Sequence, residues 1–366
     1  MSFTKWNFIM TIIGIFFFLF DIGVDLWISF NYFQQKLYLF GLLTIFFALV
    51  STLIVQAFSY TWFKDDFVEG SDESMKCILV IHLFLAGTLL RYWYAVKHGY
   101  RATYGRTQDR EDAKKAVFDM TDLSMLRCFK TYLESTPQFI LQLYILMEHG
   151  QITIFQYISI VASIFSISWS TVDYQMSLRK SLPGQKGIHV GLPLLSYTSY
   201  KFFTLTSWIV SVVFLLTCNI HIFAGFMTLL GVAGFCWAWK QDTDFCKTKR
   251  MEILYRAVVG IILVFTFFNV KGTKTRISIS VYYSVRYFST SGILTLCFFL
   301  RPEFARTVIF AVLSIATVVT LGLGILSMIL YYACFHPTLH CLIHPKEDTV
   351  DGICEDRSRI TSFIMP

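Results

Sequence analysis

Lys130, Glu134, Gln138 and Gln142 recur at every fourth position of LRCFKTYLESTPQFILQLYILME (126–148), a stretch otherwise apolar enough to enter a bilayer. On a helix they form one polar stripe. An ionisable side chain inside a spanning segment costs at least ~3 kcal/mol on insertion scales, so the stripe must face the protein interior, a hydrated groove or a polar ligand. Pro137 removes a main-chain hydrogen bond in its middle and should bend the helix. Two kinds of chemistry fit: an adhesive strip between packed helices, or a path that carries a polar group through hydrocarbon.

Other buried polar residues extend the choice. Asp21 and Asp25 lie one turn apart in the first apolar segment, and Arg91 sits inside another. Asp173 follows Ser163, Ser166 and Ser170 on one helical face, and Lys201, Arg256 and Arg286 come from the second half of the chain. Unlike charges at this depth pair. Either they lock the bundle as ion pairs or, spread along the membrane depth, they make a functional stairway. His82 reads as a hydrogen-bonded interior histidine. No G-x-x-x-x-G-K-[ST], H-E-x-x-H or G-x-S-x-G occurs, so neither an enzyme nor a cofactor is expected. Cys334, His336, His340, Cys341 and His344 match no standard zinc spacing, and no metal is expected. The net charge of +7 suits loops facing anionic lipid and makes no case for nucleic acid.

The elements that must position these residues are helices in a membrane. Hydrophobic residues make up 55% of the chain and charged ones 15%, which excludes a soluble globule. Ten apolar segments run at about 7–30, 38–62, 77–96, 126–148, 152–178, 195–218, 220–240, 252–270, 275–300 and 304–335. No cleavable leader is visible, so the first segment should double as the targeting signal. Lys and Arg concentrate in 97–125, 179–186 and 240–250, which places these links in the cytosol, while 31–37, 149–151 and 219–221 fall outside. Ten crossings violate that pattern. Eight transmembrane helices with 77–96 and 252–270 as re-entrant segments satisfy it, put both termini in the cytosol and leave Arg301 and Arg306 outside. The expected fold is therefore an all-α polytopic membrane protein in two parallel repeats, 1–180 and 191–335, with a cytosolic tail at 336–366. The nine cysteines are expected as free thiols, Cys334 and Cys341 being open to acylation.

Two further stretches carry information. Ala113, Ala116, Val117, Met120 and Leu123 recur at helical spacing among charges, as in an amphipathic helix at the inner interface. In the tail, Asp348, Thr349, Val350, Asp351 and Gly352 spell the Asp-x-x-Asp-Gly pattern that effector caspases cut after the second Asp. Chance alone would place it in about one chain in twenty of this length. Its place in a polar terminus, where proteases reach, gives it weight. Cutting there releases 352–366, in which Ile353, Ile360 and Ile364 share a helical stripe and Phe363 adds apolar bulk. Such a peptide needs a surface to dock on.

LESTPQFILQLYI (133–145), FDIGVD (Phe20 to Asp25) and the terminal DTVDG together resemble the XK-related membrane proteins, in particular their caspase-activated phospholipid scramblases. The resemblance covers essentially the whole chain. It implies eight spans and two partial ones in two repeats, and energy-independent lipid scrambling that exposes phosphatidylserine at the plasma membrane of apoptotic cells. It also implies that Asp21, Asp25, Arg91, Glu134 and Asp173 match the family's buried charges, with Lys201, Arg256 and Arg286 matching less closely. The implied partners are phospholipids and an effector caspase, and some relatives need a single-span partner glycoprotein. The alternative is a solute transporter with an occluded polar site at the repeat interface; a membrane enzyme would need a catalytic set that is not found.

Overall fold

The computed structural model describes residues 3–66, 75–105, 110–149, 154–181, 188–189, 191–241, 243, 245–268 and 275–335. Among them every regular element is a helix. In the first part of the chain these are α1 (Lys5–Gln34), α2 (Tyr38–Asp66), α3 (Met75–Leu83), α4 (Gly87–Tyr104), α5 (Arg110–Lys130), α6 (Thr136–His149) and α7 (Ile154–Ser181). Then follow α8 (Leu192–Cys218), α9 (Ile220–Lys240), α10 (Lys249–Phe265), α11 (Thr275–Leu300), α12 (Pro302–Ala305) and α13 (Val308–Leu330). The cleavage pattern Asp348, Asp351, Gly352 and the tail residues Ile353, Ile360, Phe363 and Ile364 lie outside the described residues.

Among the described residues five helices are long and apolar enough to cross a bilayer: α1, α2, α8, α9 and Val308–Phe335. In α1 and much of α2 burial runs opposite to that of a soluble bundle, whereas α8 buries large apolar side chains such as Trp208, Val212 and Phe214. In α1 the buried residues are Asn7, Thr11, Gly14 and Ser29, while Phe16, Phe17, Leu26 and Trp27 are exposed. In α2, Thr44, Ser51 and Gln56 are buried and Leu39, Leu42 and Leu53 are exposed. Small and polar residues mediate the close helix contacts and large apolar ones face outward, the arrangement that a lipid solvent favours. The chain is a multi-pass membrane protein.

Two compact units can be distinguished. The first comprises Met1–Gln138, Asp173–Gln185 and Cys246–Met251; the second comprises Phe139–Val172, Lys186–Phe245 and Glu252–Pro366. In the first, α1, α2, α4 and α5 pack on one another, and α3 and α4 replace the single apolar segment read at 77–96. The break between them is held by α2: Gln56 Nε2 donates to the Leu85 carbonyl at 2.9 Å and its Oε1 accepts from the Gly87 N–H at 3.0 Å. Freed main-chain groups must find such partners where water is scarce. Leu85 has φ +59°, and a Cβ at Gly87 would stand 2.2 Å from the His82 ring and 2.3 Å from Gln56 Oε1. Glycine is therefore required at 87. In the second unit, α8 packs along α13 and α11. There α9 and α10 approach so closely that a Cβ at Gly234 would lie 2.7 Å from the Gly260 carbonyl. At 17 residues α10 spans about 26 Å, short of the ~30 Å hydrocarbon thickness.

Residues 97–125 and 126–148 read in sequence as an interface helix followed by a separate span. Instead α5 and α6 run on as one helix from Arg110 to His149, interrupted only by a π-helical turn at Thr131–Ser135. Pro137 explains the turn. In an unbroken α-helix its ring would collide with the Leu133 carbonyl and leave that group without a donor. Widening the preceding turn moves the carbonyl away, and the Thr131 carbonyl is capped by the Thr136 N–H and, at 2.9 Å, by the Thr136 hydroxyl. Ala116, Val117 and Leu123 are buried against the protein.

Candidate functional site

The π turn delivers Glu134 into the first unit, where it is 2% exposed. Lys130, one turn earlier, bonds Asp21 of α1 and lies 3.4 Å from Glu134. Asp25, one turn further along α1, faces Glu134 and Gln138. Gln138 also donates to the Thr44 carbonyl of α2 at 3.4 Å. Carboxylate oxygens of Asp21, Asp25 and Glu134 come within 4.8 Å of one another, the spacing of a cation site. Lys130 supplies a cation to it.

This cluster borders a cavity of about 410 Å³ between α1, α2 and the start of α4. Asp25, Lys130 and Glu134 form its charged edge, and Ser29, Thr44 and Gln56 add polar atoms. The remaining lining is apolar, and Ile22, Leu26, Leu49 and Leu85 are exposed at 41–67%. The cavity is thus apolar over most of its surface, charged at one edge and walled by side chains that also face outward. It can take a polar group at that edge while an apolar chain lies along the walls.

Of the residues singled out from sequence, Asp21, Asp25, Lys130, Glu134 and Gln138 come together. Gln142 is half-buried and belongs to the other compact unit. Arg91 sits apart from the cluster, 5% exposed, in a network of its own. It donates to Asp122 at 2.8 Å, to the Ser59 hydroxyl at 2.9 Å and to the Ser59 carbonyl at 2.9 Å, and lies 4.2 Å from the Phe63 ring centre. His82 continues this chain: Nδ1 donates to the Ile78 carbonyl at 2.7 Å and Nε2 accepts from the Ser59 hydroxyl at 3.0 Å. That assignment satisfies every partner with a neutral ring. Asp173 pairs with Arg127 at 2.7 Å.

Sequence reading missed Asp122, Arg127, Ser59 and Gln56. Asp122 was legible, because 122, 126, 130 and 134 continue the four-residue period backwards and only Leu126 interrupts it. Ser59 and Gln56 carry no signal of their own, since hydroxyls and amides are common in packed membrane helices.

In the second unit the cations find different partners. Lys201 donates to Thr266 Oγ1 and the Phe267 carbonyl, both at 3.0 Å, beside the Tyr200 ring. Arg286 bonds the Tyr282 hydroxyl and the Val264 carbonyl, with its guanidinium 3.8 Å from the Trp208 ring centre. Arg256 donates to the Thr243 carbonyl at 2.6 Å and to Glu252 at 3.3 Å. The cavity beside Arg286 measures about 10 Å³, room for roughly one water.

The family model described as "XK-related protein" matches residues 9–337. "XK-related protein 9" of Tetraodon nigroviridis is 33% identical over the full length of both chains. "XK-related protein 8" of Gasterosteus aculeatus is 32% identical over 92% of this chain and 86% of its own, and "XK-related protein 8" of Pan troglodytes is 28% identical over 94% and 87%. The chain belongs to the XK-related family.

Proposed function

We propose that this XK-related chain is an energy-independent phospholipid scramblase of the plasma membrane that exposes phosphatidylserine during apoptosis. The observation that supports this reading is the cavity edged by Asp25, Lys130 and Glu134, with walls of exposed Ile22, Leu26 and Leu49. A flipping lipid must carry a zwitterionic or anionic headgroup across hydrocarbon while its acyl chains stay there. Charged side chains beside an outward-facing apolar wall lower the cost of that crossing. A solute transporter requires a closed polar pocket, and the exposed walls favour lipid instead. Eight crossings complete the reading, α6, α7 and α11 joining the five most apolar spans, with both termini cytosolic and α3–α4 and α10 re-entrant.

The tail is the switch. An effector caspase cuts between Asp351 and Gly352, with Asp348 as its upstream anchor. Until then 352–366 docks on the cytosolic face through Ile353, Ile360, Phe363 and Ile364 and holds the bundle closed. Burying three isoleucines contributes about 5 kcal/mol before ordering costs, enough to bias a two-state bundle if the peptide binds the closed state alone. Attachment keeps its local concentration high, and cleavage lets it dilute away.

A fluorescent-lipid assay in proteoliposomes with intact and protease-clipped protein tests both parts. Clipped protein should move lipid between leaflets without ATP, and the intact chain should not. Clipped protein that moves no lipid overturns the scramblase reading. A chain ending at Asp351 that is no faster than the full-length protein overturns the switch alone.

A further inference from the structure

Cys218 closes α8 and Cys297 lies one turn before the end of α11, two helices that pack on each other in the second unit. Cys297 Sγ sits 3.5 Å from the Phe214 carbonyl, and Phe214 is one helical turn from Cys218 on the same face of α8. Both are free thiols, and this placement sets them side by side at one end of the unit. Cys297 is fully buried, whereas Cys218 is half-buried beside the Asn219 link to α9. Arg301 ties the same end of the unit together, donating to the Thr217 carbonyl at 3.0 Å and to Glu148 at 2.8 Å. The ends of α6, α8 and α11 therefore share one face.

From this placement we infer that Cys218 and Cys297 form a redox pair, closed to a disulfide that fixes α8 to α11 at the outer face of the membrane. The inference rests on the outward assignment of the 149–151 and 219–221 links. An outer face matures in an oxidising compartment, where a pair of adjacent thiols is converted to a disulfide. The oxidant is a disulfide, either of a thiol–disulfide oxidoreductase or of glutathione. The half-buried Cys218 thiolate attacks one sulfur of that disulfide, forming a mixed disulfide and expelling the first thiol. Cys297 then attacks Cys218 Sγ and expels the second. One external disulfide is reduced to two thiols, and the two protein thiols lose two protons and two electrons. The accessibility difference sets the order, because Cys297 is reached only through Cys218.

The test uses full-length protein from cells lysed in N-ethylmaleimide, digested and mapped by mass spectrometry without reduction. Peptides carrying Cys218 and Cys297 should appear linked, and reduction should separate them. Cys218→Ser should leave Cys297 recovered as a thiol, and dithiothreitol should lower the melting temperature of the wild type but not of this variant. Recovery of both wild-type cysteines as maleimide adducts overturns the inference, and that measurement needs no variant to fold. A tag at residue 150 on the same cells separates the causes. If the tag is external and the thiols are free, the pair alone is wrong; if the tag is cytosolic, the outward assignment has failed and the inference with it.

Discussion

The two compact units of this chain both bury cations and neutralise them by different means. In the first, cations packed among the helices meet carboxylates from another part of the chain: Arg91 meets Asp122, Arg127 meets Asp173 and Lys130 meets Asp21. In the second, Lys201 and Arg286 bond hydroxyls and carbonyls and lie against aromatic rings, and the carboxylate beside Arg256 comes from its own helix. The cavities beside these cations differ, about 410 Å³ beside Lys130 and about 10 Å³ beside Arg286. Formal ion pairs leave charge at a cavity edge for a ligand to use, whereas dipoles and ring faces settle the charge locally and let helices close around it. The units do share one device. In each, a long polar side chain from a spanning helix bonds the main chain where a short helix stops: Gln56 at Leu85 and Gly87, and Lys201 at Phe267.

Removing a cation from each unit sharpens the contrast. Arg91→Met removes the cation beside the buried Asp122 carboxylate and should cost about 3–5 kcal/mol, enough to abolish monodisperse protein on gel filtration. The cluster comes next: Glu134→Leu should lower scrambling by clipped protein at least ~10-fold, a barrier increase of about 1.4 kcal/mol, while the fold persists. Glu134→Gln, which keeps a polar partner for Asp25, should retain more activity, and equal rates for the two variants in proteoliposomes would end any role for this side chain. Arg286→Met leaves only neutral acceptors behind and should cost about 1–2 kcal/mol in a thermal-shift measurement. Losses as large as those of Arg91→Met would break the comparison between the units. At the bottom of the scale, the Glu111–Lys115 pair is solvent-exposed at 3.9 Å, and Lys115→Ala should change stability by less than ~0.5 kcal/mol.

Much of the helical framework is legible in the sequence, because bilayer thickness and hydrocarbon leave a spanning chain few options. Most apolar runs correspond to helices whose ends lie within a few residues of the expected ones. The interruption within 77–96 was not legible, since it depends on Leu85 in a left-handed conformation and on a clamp from Gln56, 31 residues before Gly87. The polar stripe was only partly legible. A period of four brings Lys130, Glu134 and Gln138 together, whereas Gln142, a turn further along α6, belongs to the other compact unit. Pairing was the least accessible level. That Arg91 would meet a carboxylate follows from its depth, but that the carboxylate would be Asp122 depends on α4 lying along α5.

The π turn at Thr131–Ser135 makes residue number itself a structural variable. Such a turn holds one residue more than the α-helical turn it replaces. A single in-frame codon deletion there would let α5 and α6 relax into one uninterrupted coil. Because the turn already holds the extra residue, removing one would leave the helices on either side in the same relative rotation, with Gln138 still on the Asp25 side. Pro137, however, would again confront an intact α-helical carbonyl. A one-residue deletion at 131–135 should therefore lower folded yield through the proline alone, and Pro137→Ala in the same chain should restore it, a contrast that a deletion scan read by folded yield would expose.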